Sequence, residues 1–374
     1  MQEARWAMLA LALCGCATRP MSPPPEAPET LILSIPAIGT TIAPAQPRQP
    51  VATLIDIPVP DHHSIRAALD LFTTEMRSDI QQSLTRSARY KNLIDRVLDE
   101  YKLPKALAYL PVIESAYLPR LTSRAGAHGI WQFMPETARE YGLRVDWWVD
   151  ERADPDRSTH AAAAYLKDLY REFQDWPLAL AAYNAGSARI HRALDQTGST
   201  TFWRISELSA VPRETRGYVP TFFAAILIAN DAASYGFRLG DPVKADIKHI
   251  EVDGPLSLRF IAQTANIDET LLRELNPALR HDIVPPGKTG ITIPAAAGPA
   301  IEARAATLKN DDRIVTVRAY RVRKGDTITR LARSLGVARK TILAMNSLSA
   351  KAHLRRGESI YLPVRAHALS AGGM

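Results

Sequence analysis

A glutamate stands where the apolar stripe of a predicted helix would continue. Leu103, Leu107 and Leu110 recur at helical spacing, and the next position on the same face is Glu114. A carboxyl group placed against apolar neighbours has its ionised form disfavoured, so its pKa rises. A raised pKa is what a general acid at neutral pH requires. Taken alone, the stretch also allows the ordinary interpretation, a glutamate at a helix end with its carboxylate in water.

The elements that must position this carboxylate are predicted to be helical almost throughout. The segment Leu103–Tyr117 is predicted to be a helix, because Pro104 suits a first turn and Pro111 would kink the segment just before Glu114. Strand alternation is nearly absent between residues 61 and 240, which predicts a mainly α domain there. The other predicted helices are Ile65–Leu71, Ile80–Tyr101, Thr137–Tyr141, His160–Phe173, Pro177–Tyr183, Ala188–Leu194 and Tyr218–Ser234.

Four short segments of this domain are not explained by packing alone. They are Glu114–Tyr117 (ESAY), Ser123–Pro135 (SRAGAHGIWQFMP), Ala182–Gly186 (AYNAG) and Glu214–Val219 (ETRGYV). Each has a structural interpretation of its own: a helix end, a glycine turn with an aromatic plug, a glycine helix stop, and a capped helix start. The glycines of the second segment allow a tight turn that presents Trp131, Gln132 and Met134 together. Four such segments in one helical domain, in this order, favour a function.

The series of motifs resembles the lytic transglycosylase domain of the goose-lysozyme and soluble-transglycosylase superfamily. The resemblance covers residues 102–218 closely, and it implies a lysozyme-like fold for residues 61–240. Carried over by position, it implies that Glu114 is the catalytic acid/base. It also implies that six further residues line the sugar cleft: Ser115, Gln132, Met134, Tyr183, Asn184 and Tyr218.

Only one carboxylate near the motifs is suited to acid catalysis, which agrees with the one-acid chemistry of that family. Glycoside hydrolysis ordinarily needs two carboxylates, and only Glu114 has a setting suited to an acid. Four others cluster in a polar loop without a motif: Asp146, Asp150, Asp154 and Asp156. One acid/base suffices when N-acetylmuramic acid closes a 1,6-anhydro ring through its own C6 hydroxyl. A goose-type hydrolytic muramidase and a non-catalytic peptidoglycan-binding lipoprotein remain as alternatives.

The C-terminal third contains an internal repeat with a period of about seventy residues. Residues 318–365 resemble a lysin motif (LysM), a βααβ module that binds N-acetylglucosamine-containing glycans. The resemblance implies glycan-binding roles for Gly325, Asp326, Thr327 and Asn346. Residues 246–295 form a divergent copy with Gly254–Ser257 in place of the Gly-Asp-Thr signature, and residues 296–317 are predicted to be a linker. The divergent copy is either a second glycan-binding module or a scaffold that no longer binds.

The N-terminal sixty residues are predicted to be an export signal and a tether. Residues 1–15, read from Met1 or from Met8, have the short apolar run of a signal peptide. The run ends in a sequence that resembles a bacterial lipoprotein box, so Cys16 is the expected lipidation site and the membrane is an expected partner. The same resemblance implies the outer membrane of a Gram-negative bacterium, with the protein facing the periplasm, because Ala17 rather than Asp follows the cysteine. Residues 16–60 are proline-rich and predict an extended tether.

The sequence argues against metal binding, cofactor binding and nucleic-acid binding. No cysteine follows Cys16, and the nine histidines show no paired-ligand spacing, so neither a metal site nor a cofactor is predicted. The formal net charge of +7 would suit nucleic acid, but the signal peptide argues against that partner. The carboxylates of peptidoglycan stem peptides explain the positive balance instead. No pattern identifies a protein partner.

Overall fold

The computed structural model of this 374-residue chain describes residues 56–146, 148–241, 246–301, 316–346 and 348–364. The predicted signal peptide, the lipidation site Cys16 and nearly all of the predicted tether lie outside the described residues. Most of the described residues between 63 and 230 are helical, and loops connect the helices. The helices are α1 (His63–Thr73), α2 (Arg77–Ser87), α3 (Lys91–Tyr101), α4 (Leu110–Glu114), α5 (Pro135–Glu140), α6 (Pro155–Phe173), α7 (Trp176–Ala185), α8 (Ser187–Thr197), α9 (Phe202–Glu207) and α10 (Arg213–Asn230), with 3₁₀ helices at Lys105–Tyr109 and Glu151–Ala153.

The segment that carries the predicted acid is not one kinked helix. A 3₁₀ helix, Lys105–Tyr109, is followed by the separate helix α4, in whose first turn Pro111 lies. Proline is favoured there because its missing N–H would have no helical partner. The predicted helix Ile80–Tyr101 is likewise two helices, α2 and α3. The short α4 ends at Glu114 and so places the carboxylate at a helix terminus.

The end of the predicted tether packs onto this segment. Ile57 is 1% exposed. The carboxylate of Asp56 accepts hydrogen bonds from the backbone N–H groups of Lys105 and Ala106, the latter at 3.0 Å. These N–H groups have no partner within the 3₁₀ helix, because they lie in its first turn. Asp56 therefore caps the element that leads to Glu114.

Helix α10 lies in the centre of the helical core. All residues from Tyr218 to Ala229 are buried except Leu227, as the apolar run Phe222–Ala229 predicts. Pro220 lies inside the helix, and Thr221 donates its hydroxyl to the carbonyls of Gly217 and Tyr218. No described helix has both the length and the apolar content that a membrane span requires.

The predicted repeat appears as two βααβ modules. The first module contains β1 (Ile247–Ser257), α11 (Leu258–Ala265), α12 (Glu269–Leu275) and β2 (Ile283–Pro294). The second contains β3 (Thr316–Arg321), α13 (Ile328–Leu335), α14 (Arg339–Met345) and β4 (Ser359–Val364). Each module has its own two-stranded antiparallel sheet. The chain is therefore mainly α with two small α+β modules, as predicted.

The same asparagine closes both modules. The amide nitrogen of Asn276 donates to the carbonyls of Leu272 and Thr292 at 2.8 and 2.7 Å, and its side-chain oxygen accepts from the Thr292 N–H at 2.7 Å. Asn346 makes the same three bonds, to Ile342 and Tyr361, at 2.8, 2.7 and 2.6 Å. The bonded strand residue lies sixteen positions onward in the first module and fifteen in the second, which confirms the repeat with its one inserted residue.

Contacts divide the described residues into two compact units that do not follow the order of the predicted domains. The first unit contains the described residues up to Ser87, together with Lys91–Ala116 and Ala163–Gly240. The second contains Ala88–Tyr90, Tyr117–Ala162 and the described residues from Asp241 onward. Residues of the segment 117–162 thus pack with the first LysM-like module.

Candidate active site

The carboxyl group of Glu114 lies in a desolvated position and is hydrogen-bonded by a tyrosine. The Tyr218 hydroxyl, from α10, donates to Oε1 of Glu114. Burial raises the pKa of Glu114 from 4.5 to about 8, although the Tyr218 hydrogen bond acts to lower it, and the charge of Glu214 raises it further. Glu114 is therefore largely protonated at neutral pH. Since Oε1 accepts from Tyr218, Oε2 is the oxygen left to carry the acidic proton.

Two further tyrosines surround this group on the side of α6 and α7. Tyr183 stacks at a tilt on Tyr165, with ring centroids 5.1 Å apart. Burial, followed by the nearby charge of Glu114, raises the pKa values of Tyr183 and Tyr218 well above 10. Both phenols keep their protons at any physiological pH. They serve as neutral hydrogen-bonding groups and as low-dielectric walls around the carboxyl.

Asn184 joins the end of α7 to the start of α10. Its Nδ2 lies 3.4 Å from Oε1 of Glu214, and its Oδ1 accepts from the Thr215 hydroxyl at 2.9 Å. Gly186 ends α7 with a φ of 87°, a left-handed conformation that favours glycine. The two motifs AYNAG and ETRGYV are thus held together by side-chain hydrogen bonds.

The backbone just after Glu114 is strained. Ala116 and Tyr117 have φ values of 50° and 59°, which non-glycine residues rarely adopt. Ser115 is fully buried, and its N–H donates to the Pro111 carbonyl at 3.1 Å. Paired left-handed residues are sustained only when the surroundings fix them, and such strain is concentrated at functional sites. This sharp turn ends α4 immediately after its carboxylate.

The second unit contains the glycine turn with the three neighbouring side chains of the second motif. Trp131 is 1% exposed and donates its indole N–H to the Thr159 hydroxyl at 2.9 Å, so the expectation that it is presented beside Gln132 and Met134 is wrong. Its apolar ring is stabilised in the core. The amide nitrogen of Gln132 donates to the carbonyls of Leu121 and Gly129. Met134 is 39% exposed and gives the turn an apolar surface.

The predicted glycan-binding residues of the second LysM module shape its turns. Asp326 accepts from the Tyr320 hydroxyl and from the Arg323 N–H at 2.7 and 2.8 Å. Thr327 caps α13 by accepting from the Arg330 N–H, and Gly325 has a φ of 88°. Asn346 is engaged in the clamp to Tyr361. Direct glycan contact by these four residues stays a prediction.

The first unit therefore brings together five of the predicted site residues: Glu114, Ser115, Tyr183, Asn184 and Tyr218. Gln132 and Met134 belong to the second unit. Sequence reasoning missed Glu214 and Thr215 as site residues, although both stand in the quoted fourth motif. Among the described residues, no group of three or more His, Cys, Asp or Glu side chains is arranged to hold a metal ion.

Comparison with protein families matches three parts of the chain. Residues 93–206 match the transglycosylase SLT domain. Residues 246–310 match the LysM-like domain of lytic transglycosylase MltD, and residues 320–363 match the LysM domain. The order of the matches agrees with the order of the motifs and of the two modules.

Individual relatives carry the same enzyme names. The chain is 30% identical to membrane-bound lytic murein transglycosylase D of Escherichia coli K12 over 321 residues, 81% of this chain and 69% of that protein. It is 28% identical to the soluble lytic murein transglycosylase of the same strain over 159 residues, 41% of this chain and 24% of the relative. A solved lytic transglycosylase Slt of Pseudomonas aeruginosa matches 41% of this chain and 25% of its own, at 26% identity and a TM-score of 0.34. From the extent of the first match and the three family matches, this chain belongs to the lytic murein transglycosylases, enzymes that degrade peptidoglycan.

Proposed function

We propose that the chain cleaves the β-1,4 bond between N-acetylmuramic acid and N-acetylglucosamine without water and leaves 1,6-anhydromuramic ends. Glu114 is the acid/base of this reaction. The observation that carries the proposal is the position of its carboxyl group, which is desolvated, bonded by Tyr218 and has a pKa raised to about 8. An acid with this pKa is protonated before the reaction and becomes a competent base after it.

The proton moves twice on the same carboxyl group. In the first half, Glu114 protonates the glycosidic oxygen and the bond to the anomeric carbon breaks, releasing the N-acetylglucosamine hydroxyl. The positive charge at the anomeric carbon is stabilised by the 2-acetamido oxygen of the muramic acid itself. In the second half, the C6 hydroxyl attacks that carbon and gives its proton to Glu114. The carboxyl group returns to its starting form and no water is consumed.

The surrounding side chains favour this sequence of steps. Tyr218 donates to the carboxyl and so stabilises the glutamate anion between the two proton transfers. Tyr183 supports the low dielectric that keeps the acid protonated at rest. Asn184, held by Thr215, is placed at the end of α7 beside the same group of residues. Met134 belongs to the second unit and is exposed, and its apolar side chain is proposed to contact a sugar ring of the glycan.

One observation favours a hydrolytic alternative. Glu214 is a second carboxylate whose charge reaches Glu114, and a second carboxylate can activate water. Its Oε1 is 3.4 Å from the Asn184 amide nitrogen, an arrangement that ties it to the protein. In the transglycosylase reaction its charge serves to raise the pKa of Glu114.

Analysis of the muropeptides released from purified sacculi tests the proposed reaction. Mass spectrometry should show 1,6-anhydromuramic ends, in wild type and in a Glu214→Gln variant alike. Reducing-end muramic acid as the main wild-type product, lost in Glu214→Gln, would instead establish the hydrolase.

The second LysM module is proposed to retain the enzyme on N-acetylglucosamine-containing strands. Its turn at Gly325–Thr327 is held by hydrogen bonds from within the module. Rigid, exposed turns of this kind suit the recognition of an extended glycan, because little conformational entropy is lost on binding.

A lipid anchor on Cys16 is proposed to hold the chain at the outer membrane, facing the periplasm. The lipoprotein-like box and the membrane-bound relative support this proposal. Since the processed chain has no other cysteine, Cys16→Ser should remove the anchor and release the protein into the soluble periplasmic fraction. Immunoblotting of membrane and soluble fractions measures the change. A variant that sediments with the membranes as wild type does would contradict the anchor.

A further inference from the structure

The first LysM-like module is joined to the helical region by backbone pairing. Val149 and Leu279 form an antiparallel bridge. The Asp150 N–H donates to the Ala278 carbonyl at 2.9 Å, and the Arg280 N–H donates to the Trp148 carbonyl at 3.0 Å. We call residues 144–146 and 148–152 the docking loop.

Side chains strengthen the same contact. Val149, Ala278 and Leu279 are each less than 10% exposed and belong to the hydrophobic core of the module, against which Trp148 also packs. Arg280 donates to the Asp146 carbonyl at 2.7 Å. Two contacts lie beside the loop: Arg120 donates to the Arg273 carbonyl at 3.1 Å, and Arg89 pairs with Glu274 at 3.6 Å. Apolar burial with backbone pairing makes this a permanent interface within the second unit.

A buried ion pair connects the docking loop to the glycine turn of the second motif. Arg152 and Asp150 are 6% and 5% exposed, and two parallel hydrogen bonds of 2.8 Å join them. The remaining donor of Arg152, Nη1, bonds the carbonyls of Gly126 and Phe133 at 2.8 and 2.9 Å. Charge-assisted, bidentate bonds of this kind fix geometry as well as adding stability.

The turn is also packed directly against the docking loop's backbone. A Cβ atom on Gly129 would lie 1.8 Å from the Arg152 carbonyl oxygen, so only glycine fits there. We call residues Gly126–Met134 the saccharide turn, because it carries Gln132 and Met134. Its two ends are bonded by Arg152, and its middle lies against the Arg152 backbone.

The equivalent segment of the second module is exposed in the part of the chain that the structure describes. Seventy positions after Leu279 and Arg280 stand Ser349 and Ala350, and both are exposed. The two modules share the asparagine clamp, so the covered segment is a specific feature of the first copy. The first turn of the first module also differs from that of the second. Leu256 is 3% exposed at the position where the second module has Asp326.

We propose that the first LysM-like module is a fixed part of the catalytic fold that, through the docking loop, Asp150 and Arg152, positions the saccharide turn for substrate. Arg152 is then a positioning residue, and the module's docked edge is unavailable to glycan. The inference rests on the proposed function in one respect, that the saccharide turn contacts the sugar.

Steady-state kinetics on short soluble glycan fragments test the inference. Arg152→Lys keeps a positive charge beside Asp150 but cannot bond that carboxylate and both carbonyls together. KM should rise about ten-fold or more, since hydrogen bonds to a charged group are lost. The value of kcat should change less, and the alkaline limb of the pH profile should stay in place, because Arg152 takes no part in the proposed proton transfers. An unchanged KM with a reduced kcat would overturn the positioning role.

A matched pair of variants tests the role of the module. Leu279→Asp places a charge in the buried bridge and should raise KM several-fold on the same fragments. Ser349→Asp, the equivalent change in the second module, should leave KM unaltered. Arg280→Ala removes the bond to the Asp146 carbonyl and a positive charge that acts on Asp150. Because the Arg280 side chain is exposed, this supplies a folded variant with a smaller rise of the same sign. Wild-type KM in folded Leu279→Asp and Arg280→Ala proteins would contradict the inference.

The two proposals fail in different measurements. A wild-type enzyme that releases reducing ends refutes the transglycosylase reaction, yet its KM still reports on the saccharide turn. Anhydro products with no KM difference between Leu279→Asp and Ser349→Asp refute the docking proposal alone.

Discussion

Glu114 and Asp326 each accept a hydrogen bond from a tyrosine hydroxyl, and the pKa values of the two carboxyl groups move in opposite directions. Glu114 accepts from Tyr218 within the helical core, and burial raises its pKa to about 8. Asp326 accepts from Tyr320 on the second LysM module, and that bond lowers its pKa. The bond favours the anion in both cases, so desolvation decides the sign. The same pair of residue types makes a proton donor in one place and a fixed turn in the other.

Removal of the Glu114 carboxyl group, which is bonded by Tyr218, should have the largest effect on activity. Glu114→Gln keeps the size of the side chain but cannot transfer a proton, and general acid–base catalysis contributes about 10² to 10⁴ in rate. We expect turnover of sacculi to fall by at least the upper figure, because the substrate supplies no second acid. Retention on sacculi should be unchanged. Near wild-type lysis would refute the assignment, and lost retention in a folded variant would show that the two functions are not separable.

Stability should respond to the same substitution with a defined pH dependence. The pKa of Glu114 is raised in the folded state, so its contribution to stability is complete below about pH 4.5 and is lost as pH rises through about 8. Glutamine has no such dependence. The Tm of Glu114→Gln relative to wild type should therefore be higher at pH 9 than at pH 5, measured by thermal unfolding under circular dichroism. A constant difference would mean that the carboxyl is not desolvated.

The activity of the wild type should fall at alkaline pH for the same reason. The acid must be protonated to act, so kcat/KM on soluble glycan fragments should decrease about tenfold per pH unit above about 8. A profile that is flat to pH 10 would contradict a catalytic role for this carboxyl.

A matched pair of tyrosine variants sharpens the comparison. Tyr218→Phe removes the bond that lowers the pKa of Glu114, so the alkaline limb should move upward by roughly one pH unit. Tyr320→Phe should leave that limb in place and raise the pKa of Asp326, which NMR titration of the side-chain carboxyl measures. An alkaline limb that moves downward in Tyr218→Phe would contradict the account of the buried pair.

Loss of the second LysM module, which contains Tyr320 and Asp326, is expected to have the smallest effect on catalysis. Truncation after residue 315 removes the whole second LysM module and leaves the first in place. Retention on sacculi in a sedimentation assay should weaken, while kcat on short soluble fragments should stay within about two-fold, because no group of the acid site is removed. Equal retention with and without the module would remove its proposed binding role.

Sequence patterns predicted those features that local spacing determines. The apolar stripe that ends at Glu114, the buried run in α10 and the seventy-residue repeat all follow from periodicity, and the structure contains them. The break at Pro111 was missed, because a proline inside an apolar stripe fits a kink and a new first turn equally well. The glycine turn was predicted correctly, but the side chain of Trp131 faces the core.

Features that depend on distant partners were beyond such patterns. Asp150 and Arg152 stand in an ordinary polar loop, and their role depends on carbonyls nineteen and twenty-six residues from Arg152 along the chain. Asn346 was predicted to bind glycan, yet its amide is bonded to strand β4. The bond from Tyr218 to Glu114 spans 104 residues, so only the family resemblance brought the two together.

The claim that the reaction consumes no water is tested most directly by asking whether oxygen from water enters the products. Sacculi digested by the wild type in ¹⁸O-labelled water should release muropeptides with 1,6-anhydromuramic ends and no heavy oxygen, because the C6 hydroxyl of the substrate closes the ring. Glu114→Gln, digested in parallel, should release almost none. Wild-type products that carry one heavy oxygen at a reducing muramic end would contradict the account and show that water is the nucleophile.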